Sequence, residues 1–319
     1  MGMTVDIPAR VAAFLEPRVG LDEPLWVGLS GGRDSVVLVQ ALVELGWTPR
    51  VQALHVHHGL SPRADEWAGF CLELGERLGL RVAVRRVEVV ADGAGIEAAA
   101  RECRYRAFSD HGIGVLLLAH HRDDQAETLL FNLLRGTGIA GAAGIPAERR
   151  IGTLRVLRPL LEVGRDAIDA YAAARKLTWI EDESNEDTAF SRNFLRAAVM
   201  PVLEGRFPGA GERLAAAAAR FAEADGLLAD LAAADWECHA VGEGVSVAAL
   251  RKLPAPRLAN LLRWRLRALG WQPPVASRLE EFVRQLLTAG PGRRPELCLP
   301  DGAMRVRRGI LRWSAAGSG

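Results

Sequence analysis

The sequence predicts an α/β protein: a doubly wound, mostly parallel sheet with a second, smaller, mainly helical and basic domain after it. Three observations carry this expectation. Short β-branched or Leu-rich runs alternate with helical stretches over the first two-thirds of the chain. A Gly-Gly turn flanked by serines joins the first of these strands to its helix. Near Phe207-Pro208-Gly209 the composition turns rich in Ala and Arg, which places a boundary between domains 1–205 and 206–319.

Strands are expected at 25–30, 51–56, 81–89, 115–120 and 154–157, and helices at 34–45, 64–78, 96–110, 123–134 and 165–175. Apolar runs this short, bounded by turn residues, suit strands buried on both faces, as a parallel sheet requires. Ligands of such sheets bind beyond the carboxyl ends of the strands. The polar motifs follow the first, second and fourth strands and so fall there. Beyond 206 the expected order is a long helix at 212–239, a short strand at 245–247, helices at 256–269 and 276–287, and a strand-like end at 302–313.

At 319 residues, with 49% hydrophobic and 25% charged residues, the composition is that of a globular protein. No run is apolar and long enough to span a bilayer, and residues 1–10 show no export signal, so a cytoplasmic protein without membrane partners is expected. Cys71, Cys103, Cys238 and Cys298 form no CxxC pair, which argues against a zinc ribbon or a disulfide scaffold. The net charge of +1 hides an asymmetry. Residues 250–319 hold thirteen Arg and one Lys against four acids, a net +10, which leaves −9 for the rest. A basic end of this kind suits a polyanion such as nucleic acid.

Ser30-Gly31-Gly32-Arg33-Asp34-Ser35 sits between the first strand and its helix. Adjacent glycines let the backbone approach a phosphate, and the amides of the helix N-terminus bind it. Ser30 and Ser35 add hydroxyls. No Lys lies near, so this is not a Walker A loop. Asp34 among phosphates implies a metal ion or a cationic substrate. After the fourth strand comes Ala119-His120-His121-Arg122-Asp123-Asp124-Gln125-Ala126-Glu127-Thr128, in which Asp124 and Glu127 share a helix face. Facing Asp34, they would form a pocket for an ammonium group, a metal, or both. Either Asp123 or Asp124 is expected to cap the helix, and the sequence leaves open which. His55, His57 and His58 resemble a metal cluster, but only alternate residues share a strand face, which favours a loop near the nucleotide over a zinc site. Tyr105 and Phe108 are candidates either for substrate contact or for core.

These residues together resemble the tRNA(Ile)-lysidine synthetase family of the PP-loop ATP pyrophosphatases. The resemblance rests on the SGGRDS loop, Leu54-His55-Val56-His57-His58-Gly59-Leu60, Arg101-Glu102-Cys103-Arg104-Tyr105 and AHHRDDQAET. It continues through Leu134-Arg135-Gly136-Thr137-Gly138, Arg158-Pro159-Leu160-Leu161, Asp182-Glu183-Ser184-Asn185 and Arg192-Asn193-Phe194-Leu195-Arg196. It implies an adenine-nucleotide hydrolase-like fold and a ligase that uses ATP and Mg²⁺. The substrates it implies are tRNA(Ile) with a CAU anticodon and free L-lysine: ATP adenylates C2 of the wobble cytidine, and the ε-amine then displaces AMP.

The resemblance assigns ATP phosphates to Ser30, Gly31, Gly32, Arg33, Asp34 and Ser35, with Asp34 also a candidate Mg²⁺ ligand. Asp34, Asp124 and Glu127 would receive ammonium groups or assist the metal, while His120 and Arg101 or Arg104 would stabilise the adenylated intermediate. Arg192 and Arg196 would present two guanidinium groups to the tRNA from one helix face, unless they answer the acids at 181–183. Arg263 and Arg267, one turn apart beside a Leu258, Leu262, Leu266, Leu269 stripe, are further candidate tRNA contacts, with Trp264 expected in the core. A homodimer is allowed for. Some larger members carry a further C-terminal domain, which this chain is expected to lack. The competing reading is another PP-loop enzyme, a tRNA thiolase or a small-molecule ligase. A thiolase would be expected to need cysteines near the loop, and none flanks it.

Overall fold

The structure is a computed structural model that describes residues 5–90, 96–181, 191–290 and 292–316. Contacts within the chain define two units, Met1–Ala222 and Glu223–Gly319. The division falls inside a long helix, whereas the sequence reading places it at 206.

The first unit begins with α1 (Ile7–Leu15), which the strand–helix pattern does not announce. Asp6 caps it by accepting from the Ala9 amide at 3.0 Å, and Ile7, Val11 and Leu15, spaced by four, are buried. Then follow β1 (Leu25–Gly28), α2 (Arg33–Glu44), β2 (Val51–His57), α3 (Ala64–Leu78), β3 (Arg81–Arg86), α4 (Ile96–Asp110), β4 (Val115–Leu117) and α5 (Arg122–Leu134). The short α6 (Ile139–Ala142) leads to β5 (Glu148–Ile151), β6 (Leu154–Leu157) and α7 (Arg165–Ala174). After the undescribed 182–190 come α8 (Ser191–Phe194), a π-helical turn at Leu195–Val199, α9 (Met200–Arg206) and α10 (Ala210–His239), which crosses into the second unit.

The sheet order is β3-β2-β1-β4-β6-β5, parallel except where β5 pairs with β6. Strand β5 carries Glu148-Arg149-Arg150, a polar edge that gives no apolar signal in the sequence. Both sheet faces are covered. Leu25 and Val27 of β1 pack with α1, α2 and α7, whereas Leu54, Leu116 and Val156 pack with Phe108 of α4. Chain order reverses at β1, which has β2 on one side and β4 on the other. A crevice therefore opens beyond the carboxyl ends of β1 and β4.

The second unit contains β7 (Ala240–Val241), β8 (Gly244–Ser246), α11 (Val247–Leu250), α12 (Ala255–Ala268), α13 (Ala276–Thr288), β9 (Glu296–Leu299), β10 (Gly302–Arg307) and β11 (Ile310–Ala315). Its helices accompany a five-stranded antiparallel sheet, β7-β8-β11-β10-β9, of which the sequence shows only β8 and the terminal ribbon. Leu258, Leu262 and Leu266 are fully buried as expected. Leu269 is exposed, and Leu261 takes part in the core instead. Arg308 (φ 50°) and Gly309 (φ 75°) make the two-residue turn between β10 and β11, a type I′ geometry that matches the twist of the strands.

Candidate active site

Gly31 has φ +87°, where an L side chain is strained, and a Cβ there would stand 2.3 Å from Ile180 Cδ1 and displace it. The Ile180 amide donates to Gly31 O at 2.9 Å and holds the loop from behind. The Gly32 amide donates to Ser30 Oγ at 3.2 Å, and the Ser35 hydroxyl donates to Gly32 O at 2.8 Å, so the Ser30 hydroxyl is left to donate to Ser35 Oγ at 3.1 Å. The serines thus shape the loop, and the α2 N-terminus behind Gly32 has no side-chain cap. Beneath the loop, His55 Nδ1 lies 2.9 Å from Leu29 O and 3.4 Å from Cys71 Sγ. Burial pushes the Cys71 thiol up to about 12, which leaves it inert. His57 lies against Asp65 and Arg86, while His58 Nε2 accepts from Arg104 at 3.4 Å. The three histidines therefore serve separate contacts.

The capping question is settled by His121. It is the N-cap residue of α5, and Asp124 closes the first turn by accepting from the His121 amide at 2.9 Å. Asp123 instead reaches the next helix, accepting from the Arg165 amide at the start of α7 at 2.9 Å. The buried His121 ring meets three carboxylates: Nε2 lies 3.5 Å from Asp34 and 3.7 Å from Asp124, and Nδ1 lies 3.6 Å from Asp123. Burial alone favours the neutral ring, but hydrogen bonding with Asp123 and Asp34, helped by the nearby charges, outweighs it and raises His121 to about 9. In this imidazolium the 3.2 Å approach of the Asp123 amide to Nδ1 is not a hydrogen bond, because Nδ1 carries a proton.

Asp34 is pulled the other way. Its burial raises the carboxyl, yet His121 and Arg33 bring it down to about 2. Asp123 is likewise held below the usual carboxylate range: burial opposes this, and His121 and the Arg165 amide overcome it. A raised histidine stabilises the fold below its unfolded value near 6.5 and loses that contribution as pH climbs through about 9. The depressed Asp34 contributes above 3.8 and loses its share as pH falls towards 2. Stability is therefore expected to drop by on the order of 2 kcal/mol between about pH 6.5 and 9, and His121→Gln is expected to flatten that slope. Urea denaturation across this range checks it.

Asp124 and Glu127 do share a face, and Arg196 lies on it. Its Nε donates to Glu127 Oε1 at 2.8 Å, and its Nη2 donates to Glu127 Oε2 at 2.7 Å and to Asp124 Oδ1 at 3.2 Å. Arg165 Nη2 adds a 3.7 Å contact to the buried Glu127. The expected outward pair Arg192 and Arg196 is therefore split. Arg196 sits in the π-helical turn and faces the carboxylates, whereas Arg192 stacks 5.7 Å from the Phe131 ring. The 182–185 motif and most of the acidic run at 181–183 lie outside the described residues.

His120, following β4, is pushed down to about 4 by burial and by nearby Arg158, Arg101 and His121, against the pull of Asp124. It is thus neutral near pH 7 and cannot stabilise an intermediate as a cation. Arg101 is exposed and stacks 5.3 Å from the Tyr105 ring. Tyr105 packs edge-on against the buried Phe108, so both earlier readings of Tyr105 have a basis: core on one side, polar contacts on the other. Two residues were given no role from sequence. Arg158 is buried and bonds to His120. Gln125 clamps the chain after α6 by donating to Ile145 O at 2.7 Å and accepting from its amide at 2.6 Å. Both lie in motif runs, which was the available signal.

In the second unit, Arg267 pairs with Asp225 at 3.0 Å and Arg263 is half-buried. Arg257 is engaged with the buried Asp235 at 2.6 Å, and Arg305 with Glu296 at 2.8 Å. Arg293, Arg294, Arg307 and Arg308 are exposed and make no ion pair among the described residues. Trp264 packs in the core, as expected, with Trp236 and Trp313.

A glycine loop that opens a helix at the switch point of a mostly parallel sheet, with carboxylates opposite, marks an α/β nucleotide-binding protein. Residues 3–203 match the PP-loop domain family, and residues 246–312 match the TilS substrate binding domain. The tRNA(Ile)-lysidine synthase of Alkalilimnicola ehrlichii is 43% identical over 314 residues, covering 97% of this chain and 70% of that protein. That of Pseudomonas fluorescens is 41% identical over 323 residues, covering 97% of this chain and 72% of that protein. The chain belongs to the tRNA(Ile)-lysidine synthase family. A U34-tRNA thiolase from Methanococcus maripaludis shares the fold at a TM-score of 0.56, with 17% identity over 68% of this chain and 78% of that one.

Proposed function

We propose that this chain adenylates C2 of the wobble cytidine of tRNA(Ile) (CAU) with ATP and joins it to the ε-amine of free L-lysine, yielding lysidine, AMP and pyrophosphate. The cytidine O2 attacks the α-phosphorus and pyrophosphate departs. The amine then bonds to C2, the C2–O bond breaks, and the oxygen leaves on AMP. The observation that carries this reading is the meeting of an anion-accepting loop with a carboxylate cluster at one switch point: Asp34 on the loop stands 3.5 Å from His121, which opens the helix bearing Asp124 and Glu127. Phosphates need the first and an ammonium group needs the second. The protein's contribution is then positioning and charge stabilisation.

Asp34 would hold Mg²⁺. Its carboxylate oxygens are hard donors beside the loop, and Mg²⁺ is commonly held by one or two carboxylates together with substrate phosphates, whose charge it offsets. Arg196, bound to Glu127 and Asp124, would be a counter-ion that lysine's ammonium displaces or joins, rather than a tRNA contact. We assign catalysis to residues 1–205 and tRNA backbone contact to the basic part, 206–319, where the exposed arginines replace Arg267 as leading candidates. A cytoplasmic location fits this chemistry, and no helix among the described residues is long and apolar enough to cross a membrane.

The decisive experiment is incorporation of radiolabelled lysine into unmodified tRNA(Ile) (CAU), with methionine tRNA as control. Label on the isoleucine tRNA alone is expected. Pyrophosphate release without label would point to a different nucleophile. For the basic surface, replacing Arg293, Arg294, Arg307 and Arg308 by Ser is expected to lower the slope of log K against log salt by about one per arginine removed. An unchanged slope in a filter-binding titration would place the tRNA elsewhere.

A further inference from the structure

Arg158, immediately after β6, is the largest fully buried side chain in the described structure, at 1% exposure. No carboxylate pairs with it among the described residues. Its partners are neutral: Nη1 donates to Pro146 O at 2.6 Å, Nη2 to the Tyr105 hydroxyl at 3.4 Å, and Nε to His120 Nδ1 at 3.3 Å. Burying an unpaired guanidinium is costly, and packing alone does not call for it. Three separate anchors fix the plane of its fork, which a lysine's single ammonium cannot reproduce. Tyr105 is held in turn, stacked under Arg101 and edge-on to Phe108.

A guanidinium has hydrogens to give and no lone pair to accept with. The His120 nitrogen facing Arg158 must therefore be the unprotonated one. In a neutral imidazole the remaining proton then resides on Nε2. We infer that Arg158 is a positioning residue that fixes His120 as its neutral Nε2–H tautomer, holding that N–H as a donor to a substrate oxygen that gains negative charge. The geometry stands by itself, and its catalytic consequence rests on the adenylating reading above.

The charged groups around His120 agree. Asp124 on α5 favours a second proton, whereas burial, Arg158, Arg101 on α4 and His121 oppose it, and the ring stays neutral down to about pH 4. A neutral donor strengthens its hydrogen bond as the oxygen becomes more negative. An imidazolium would bind the ground state almost as tightly and gain less in the transition state. No proton moves in this role: the hydrogen stays on Nε2 while the hydrogen bond shortens.

The test uses the full chain labelled with ¹⁵N-histidine and two-bond ¹H–¹⁵N correlation spectra, with His120 assigned by its disappearance in His120→Gln. The Nε2–H pattern is expected for His120 from about pH 5.5 to 8, the range in which an ordinary histidine titrates. An Nδ1–H pattern or an imidazolium at neutral pH overturns the inference, and this holds without any folded variant. In Arg158→Lys, mixed tautomers and an about 100-fold lower kcat are expected, with the KM for ATP little changed. Native tautomer and native kcat in that variant would overturn it. Introduced into His120→Gln, Arg158→Lys is expected to add little further loss, whereas full additivity would mean that Arg158 acts elsewhere. Should the unmutated chain fail to incorporate lysine, the functional reading falls while the spectrum still decides the tautomer.

Discussion

Asp34→Asn is expected to reduce lysine incorporation by about a thousandfold while leaving the chain folded. Each carboxylate oxygen has one cationic neighbour and a further lone pair to offer: Oδ1 accepts from Arg33 Nε at 3.0 Å, and Oδ2 faces His121 at 3.5 Å. With its carboxyl held near 2, Asp34 is ionised at every working pH. The amide keeps the shape of the side chain and removes the charge. His121 then retains Asp123 and Asp124 as counter-ions, so the cap of α5 survives. What disappears is the anionic group that stands on the phosphate loop itself. Pyrophosphate release and lysine incorporation measured side by side, with a thermal melt as control, would show the effect. Turnover within about tenfold of the native chain would remove Asp34 from the handling of metal or lysine.

Gly31→Ala is expected to abolish adenylation, with a loss of at least about a hundredfold. Two penalties coincide at this position. At φ +87° an L-residue is strained, and its Cβ would overlap Ile180 Cδ1 at 2.3 Å and press Cys71 Sγ at 3.3 Å. Ile180 must move aside, and relief of the φ strain is expected to carry the phosphate loop with it. Gly46→Ala is the matched control. Its φ of +73° carries similar backbone strain, but nothing lies within 4 Å of the added methyl. A stability loss of about 1 kcal/mol with activity retained is expected there. If both variants lost activity equally, backbone strain rather than loop geometry would be the cause.

The parts of the fold and site visible in the sequence are those set by local periodicity. Helices 64–78 and 96–110 and strand 154–157 follow from apolar spacing and lie at the expected residues. The i, i+3 relation of Asp124 and Glu127 placed them on one face, and Arg196 touching both reflects that arrangement. What escaped was decided by partners distant in sequence. Asp123 and Asp124 are indistinguishable as letters. One closes its own helix, and the other satisfies the amide of Arg165, 42 residues on. Arg267 reads as a free cation until Asp225, 42 residues earlier, is seen to neutralise it. Strand β5 is polar because it is an edge, and a charged edge looks like a loop. Arg158 sits in a recognisable motif, yet arginine is so seldom buried that its letter argues for the surface.

The closure of the carboxylate face by Arg196 also has a consequence in time. A chain synthesised from its N-terminus produces Glu127 well before Arg196, which follows 69 residues later. Until then, Asp124 and Glu127 lack the guanidinium that spans them. The loop, the first turn of α5 and the parallel strands can all assemble from earlier residues, since β1, β4 and β6 precede that point. The last charge of the cluster thus arrives only once the first unit is nearly complete on the ribosome. A contact of such long sequence separation forms late, because its loop must close before it is rewarded. Nascent chains that stop short of Arg196 would carry the phosphate loop and the nearby His121 and Arg165, but not the guanidinium that spans Asp124 and Glu127. Catalytic competence would then mark the end of the first unit's synthesis rather than its middle.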